Sequence, residues 1–243
     1  INPLADGYIF ASERTKAYYN PLVKNKKPTF IIPAPVDHSL FNPDISYLAD
    51  KKLIRKWGNK IVIGQVSHIN PVKGLDNFIY TASTLNKQFN NLQFVVIGKV
   101  YNHQDRYFKR LKKLCEKLCV ENIDFIGGRS DVRPLLSRFD ISVCNSKNES
   151  SPSSVWEAMA LRKPIVSTKV GDVPKYIVDG ENGYIVDVND YKTMSARIAS
   201  LLVDKKKREI FGYKAEKTSI NNFNIATCAC LHYTAYNKII KNI

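Results

Sequence analysis

With 243 residues and 44% hydrophobic content, the chain is long enough to bury one full core and part of a second. A formal charge of +15 at pH 7 suits an anionic partner, whether an anionic ligand, an anionic membrane face or nucleic acid, although solvated lysine-rich helix faces account for it as well. No apolar run is long enough to cross a bilayer and the opening residues do not read as a signal peptide; five cysteines, odd in number and without metal-type spacing, exclude a disulfide scaffold and fit reduced thiols in a cytoplasmic protein.

In chain order, Ile61 to Val66 is a short apolar run that reads as a strand. Leu75, Phe78, Ile79, Ala82, Leu85 and Phe89 then recur at helical spacing, and Phe94 to Ile97 is again short enough for a strand. A helix over Asp105 to Cys119 precedes a strand over Ile123 to Ile126, Phe139 to Cys144 reads as a buried strand, and Pro164 to Thr168 as another. Between the last two, Val155 to Leu161 reads as helix, with its start predicted within Ser151 to Ser154 where serine and proline offer caps and a first-turn residue. Such alternation predicts an α/β fold, a parallel sheet with helices on both faces, whose ligands bind beyond the carboxyl ends of the strands.

One stretch concentrates chemistry at that end. The polar turn KNESSPSS, Lys147 to Ser154, leads into a helix whose first N–H groups suit a phosphate. Glu149 sits in the turn and Glu157 in the first turns of the helix, so both face one crevice, where one carboxylate can touch a sugar and the other a ribose. The alternative at this point is structural: Ser154-Val155-Trp156-Glu157 also spells a capping box, and Glu149 is then an ordinary loop residue.

The wider pattern is more specific. Glu149-x7-Glu157 runs on into Ala158-Met159-Ala160, Lys163-Pro164-Ile165-Val166-Ser167-Thr168, Val170-Gly171 and Asp179-Gly180-Glu181-Asn182-Gly183. Together with YIFAS at Tyr8 to Ser12, FIIPAPVD at Phe30 to Asp37 and IVIGQVSHINPVKG at Ile61 to Gly74, it resembles the retaining glycosyltransferases of family 4, also called group 1. The resemblance implies the C-terminal half of a GT-B fold, a Rossmann-like parallel sheet with the N-terminal domain largely missing. Residues 1–33 would be the tail of that acceptor domain, 34–220 the nucleotide-sugar donor domain, and 221–243 terminal helices returning to the first domain.

Roles follow from the matched positions. Lys73 corresponds to the lysine that holds the donor diphosphate and stabilises the leaving group, Glu149 to the glutamate at the donor sugar, and Glu157 to the one that accepts from the ribose hydroxyls. Backbone N–H groups of Ser153 and Ser154 would meet phosphate, and Gly128 and Arg129 match the loop against the base. His68 occupies the place of the family's partner arginine. An imidazole is charged only toward acid pH, so the diphosphate clamp is expected to be weaker or pH-dependent.

Other departures are Arg162 for a glycine after the helix, Asp172 for a second glycine, Lys175 for glutamate and Ala34-Pro35 for Asn-Gly. No metal site is expected, since His38, His68, His103 and His232 are scattered and no Asp-x-Asp occurs. The implied reaction needs no cofactor: a UDP- or GDP-linked sugar is transferred with retention to a polysaccharide, lipid-linked or small-molecule acceptor. A catalytically silent nucleotide-sugar module and another GT-B enzyme, such as an epimerase or phosphorylase, remain alternatives. The basic runs, Lys109, Arg110, Lys112, Lys113 and Lys117 and then Lys205 to Arg208, allow peripheral docking at the inner face of a membrane; nucleic acid is disfavoured because no motif for it accompanies the charge.

Overall fold

The computed structural model describes residues 4–22, 27–48 and 51–241. The ends of the expected first and last segments, 1–3 and 242–243, lie outside the described residues, as does 23–26.

Six parallel strands form the main sheet: β3 (Ile61–Val66), β4 (Leu92–Ile97), β5 (Ile123–Gly127), β6 (Ile141–Cys144), β7 (Ile165–Thr168) and β8 (Gly183–Val186). Their order is β5-β4-β3-β6-β7-β8, so the direction of winding reverses between β3 and β6. Every residue of β4, β6 and β7 is buried, the pattern of strands covered on both faces.

Two apolar clusters do the covering. On one face α3 (Leu75–Leu85), α4 (Asp105–Lys117) and α8 (Tyr191–Leu202) pack Phe78, Ile79, Leu111, Met194 and Ile198 against Ile63, Phe94 and Val166. On the other, α2 (Lys51–Trp57), α5 (Arg133–Leu136), α6 (Ser153–Ala160), α7 (Val173–Tyr176) and α9 (Lys205–Phe223) bring Trp57, Trp156, Tyr176 and Phe223 over Val62, Val95 and Ile165. Trp156 and Phe223 stack with ring centroids 4.5 Å apart.

A second, two-stranded parallel sheet joins β1 (Tyr8–Phe10) to β2 (Thr29–Ile31), with α1 (Glu13–Tyr19) between them. Its Ile9 and Phe30, with Ile32 just beyond β2, pack on Cys228 and Ala235 of α10 (Ile225–Ile240). Asn224 separates α9 from α10 by turning extended, at φ −61° and ψ 138°, and its side chain accepts from the Ala226 N–H to start the last helix.

Several expected boundaries move. The YIFAS segment, matched to the family's last strand of the first domain, is strand only over Tyr8–Phe10, and the Ser12 hydroxyl accepts from the Thr15 N–H as the N-cap of α1. In the FIIPAPVD segment the strand β2 covers only Thr29–Ile31, since Pro33 and Pro35 have no N–H to give a ladder. The helix expected to begin at Lys205 to Arg208 is α9, Lys205–Phe223, and α10 follows it over Ile225–Ile240. The helix expected to reach Cys119 stops at Lys117, and Cys119 takes a left-handed φ of 54°. Part of the basic stripe on α4 is occupied within the fold: the Arg110 guanidinium lies over the Tyr107 ring and the Lys112 ammonium over Phe108. Among the described residues no helix is long and apolar enough to cross a membrane.

Candidate active site

At the carboxyl ends of the strands, where the winding reverses, a cleft of about 710 Å³ opens. His68, Lys73, Gly128, Arg129, Glu149, Ser153, Ser154 and Glu157 all line it, so every candidate site residue shares one cavity.

Lys73 ends a short 3-10 turn, Pro71–Lys73, that Asn70 caps by accepting from the Val72 N–H. Buried Gln65 donates to the Lys73 carbonyl at 2.8 Å, while its own amide oxygen accepts from the Asn145 N–H and side-chain amide. The next residue, Gly74, has φ +63°, and a Cβ there would lie 1.9 Å from the Asn145 carbonyl oxygen. Only glycine allows the turn carrying Lys73 to press this closely on the loop after β6.

Across that contact the Lys73 ammonium lies 2.6 Å from Glu149 Oε1, to which the Ser146 hydroxyl also donates at 2.7 Å. Both charged side chains are largely shielded, with 23% and 14% of their area exposed, so the pair is screened less than a surface ion pair.

The Glu157 carboxylate, on the same cleft, makes no hydrogen bond or ion pair among the described residues, and burial pushes it above the ordinary glutamate range. The capping-box reading is overturned here. Ser154 lies inside α6, the cap position belongs to Pro152, and no side chain bonds to the free N–H groups of the first turn. The amides of Ser153 and Ser154 therefore open into the cleft uncapped, an arrangement suited to an anion. Proline stands before the first helical residue rather than in the first turn, and the Ser151 hydroxyl is engaged by Trp156 Nε1 at 3.0 Å.

His68 rests against Tyr101, with ring centroids 5.2 Å apart. Arg129 is exposed and donates to the Gly128 carbonyl. Lys99, which sequence reasoning passed over, also lines the cleft. Its position immediately after a strand and Gly98 was the signal that could have found it.

Residues of α1 and its N-cap reach this region too. The Ser12 and Thr15 hydroxyls bond the hydroxyl of Ser150, the neighbour of Glu149, and buried Asp172 accepts from the Glu13 N–H. Arg162 preserves the turn after α6 that a glycine was expected to make: it adopts φ 56° and is held by Glu216 and Asp44, each at 2.7 Å. Among the described residues no group of three His, Cys, Asp or Glu side chains is placed to hold a metal ion.

Residues 49–218 match the model of the family described as glycosyl transferases group 1. The chain belongs to that family. As a group 1 glycosyltransferase, it is similar to spore coat protein SA of Bacillus subtilis (strain 168), at 31% identity over 173 residues, covering 68% of this chain and 45% of that one. It is also similar to the capsular polysaccharide biosynthesis glycosyltransferase CapM of Staphylococcus aureus, at 25% identity over 175 residues, covering 72% of this chain and 45% of CapM. The chain thus spans about half the length of these curated relatives. Among solved structures, Anabaena Alr3699/HepE in complex with UDP and glucose superposes with a TM-score of 0.85 at 22% identity, over 96% of this chain and 63% of that one. The fold of this glycosyltransferase is that of the C-terminal, Rossmann-like half of GT-B enzymes.

Proposed function

We propose that the cleft binds a nucleoside-diphosphate sugar, UDP- or GDP-linked, and that the chain is the donor half of a retaining, metal-independent glycosyltransferase of family 4. The observation that carries this reading is the convergence of Lys73, Glu149, Glu157 and the open start of α6 on one cavity. In this scheme the diphosphate lies between the Ser153 and Ser154 amides and the Lys73 ammonium, which together offset the charge that grows on the leaving nucleotide. Glu157 accepts from the ribose hydroxyls, a task that ionises a carboxyl otherwise held toward its neutral form. Glu149, already fixed by Lys73 and Ser146, faces the sugar and supports positive charge at the anomeric carbon. Gly128 and Arg129 lie along the base.

Residues 1–33 are read as the end of an acceptor domain, 34–220 as the donor domain and 221–243 as helices returning to the first, with a glycan or lipid-linked acceptor bound on the far side of the cleft. The solved HepE complex, which holds UDP and glucose, supports a donor of this class. Calorimetric titration with UDP, GDP and ADP tests the reading: one nucleotide should bind saturably, and Lys73→Ala and Glu157→Ala should each weaken it about tenfold or more. Absence of binding to all three would sink it.

A further inference from the structure

We infer that Lys99, seated on Tyr101, is the second cation for the donor diphosphate and takes over the role left open by His68. The inference rests on the reading of the cleft as a nucleotide-sugar site and adds to it a residue that the Lys73 pattern does not contain.

A diphosphate brings at least two negative charges, and the charge available in the cleft can be counted. Three permanent cations line it, Lys73, Lys99 and Arg129, against two carboxylates, Glu149 and Glu157. Lys73 is already matched by Glu149 at 2.6 Å. Lys99 makes no ion pair among the described residues; its ammonium lies 5.1 Å from the centre of the Tyr101 ring, which stabilises a cation without neutralising it. The same ring meets His68 at 5.2 Å, so Tyr101 positions both the imidazole and the free ammonium.

Backbone contacts hold Lys99 next to the His68 loop. The Ile69 N–H donates to the Lys99 carbonyl at 3.0 Å, and the Ser67 N–H donates to Ile97 at 2.9 Å. Gly98 lets the two loops touch, since a Cβ there would lie 1.9 Å from the Ser67 carbonyl oxygen. Strand order then separates the two unmatched cations: β4, which leads to Lys99, adjoins β3, whereas β5, which leads to Arg129, stands one strand further from the reversal point. Lys99 is therefore the free cation on the phosphate side, and Arg129 the one at the base end.

The test separates phosphate from nucleoside. Wild type, Lys99→Met, Lys99→Arg and Tyr101→Ala are titrated with the preferred nucleoside diphosphate, its parent nucleoside and inorganic pyrophosphate. Lys99→Met should lose about tenfold in affinity for the diphosphate and for pyrophosphate, with the nucleoside unchanged and a weaker dependence on salt. Lys99→Arg should retain most of the affinity, and Tyr101→Ala should show part of the Lys99→Met loss. An equal loss for the nucleoside, or no loss for the diphosphate, would overturn the inference while leaving the donor site intact. Failure of wild type to bind any nucleotide would instead overturn the underlying reading and this inference with it.

Discussion

Lys73 and Glu149 hold each other at 2.6 Å on the cleft wall, so the ammonium that would receive a phosphate is already occupied by a carboxylate. A diphosphate must share or displace that partner. Glu149→Gln removes both the competition and the repulsion, and is expected to keep or tighten nucleoside-diphosphate binding, by about threefold, while abolishing sugar transfer in an enzyme with its acceptor half. Calorimetry and a transfer assay check the two halves; a tenfold loss of nucleotide affinity would contradict the competition.

Gly74→Ala should damage the same pair from a distance. An alanine at φ +63° costs roughly 1–2 kcal/mol, and its methyl would overlap the Asn145 carbonyl as well. The turn carrying Lys73 must then withdraw from the Glu149 loop. Reduced melting temperature together with weakened nucleotide binding is the expected pair of readouts; unchanged binding would show that the approach of these loops is unimportant.

Arg162 combines an unfavourable backbone with valuable side-chain bonds. Replacement by glycine relieves about 1 kcal/mol of left-handed strain but strands the nearly buried Glu216 carboxylate, a loss of about 1–3 kcal/mol. Arg162→Gly is therefore expected to destabilise, and adding Glu216→Gln should recover part of the loss. Urea unfolding of the two single variants and the double variant closes the cycle.

Glu157 predicts a pH-dependent conflict between stability and function. Its carboxyl is raised by burial, so the folded state binds the proton more tightly than the unfolded chain does. Stability from this group is present at low pH and is lost as pH rises from the ordinary glutamate value through the raised one. Glu157→Gln should remove that decline, melting higher than wild type at neutral pH while binding nucleotide less well. Melting curves from pH 4 to 8 give the comparison, and identical wild-type and variant slopes would refute it.

Lys163 predicts the opposite slope at alkaline pH. Burial holds its ammonium down to about 8 from an ordinary 10.5, although it donates to the Ser137 carbonyl at 2.6 Å. The unfolded chain keeps the proton longer, so stability contributed here rises between those values. The difference in melting temperature between wild type and Lys163→Gln should shift in favour of wild type as pH rises through that window.

The alternation of short apolar runs and helical spacing made the parallel sheet legible, because buried strands carry continuous apolar residues. Lys73, Glu149 and Glu157 were legible through their match to the family pattern, and the structure brings them to one cleft at the carboxyl end of that sheet. What escaped depended on distant partners. β8, Gly183–Val186, has only four residues and gains its identity from pairing with β7. Lys99 acquires meaning from Tyr101 and the His68 loop, and the conformation of Arg162 from Glu216, which lies 54 positions away. The cap expected from serine failed because Pro152, at ψ 96°, occupies the position where a side chain would have bonded the first turn.

The hydroxyl contacts from Ser12 and Thr15 to Ser150, together with the seat of α1 on Asp172, make a mechanical linkage. Ser150 is one peptide bond from Glu149, so any tilt of the small sheet that drags α1 away must either break these bonds or tow the loop with it. The Glu149 carboxylate, proposed to face the sugar, is thereby yoked to a structural unit on the other side of the chain crossing, and its aim registers how the two units are set against each other.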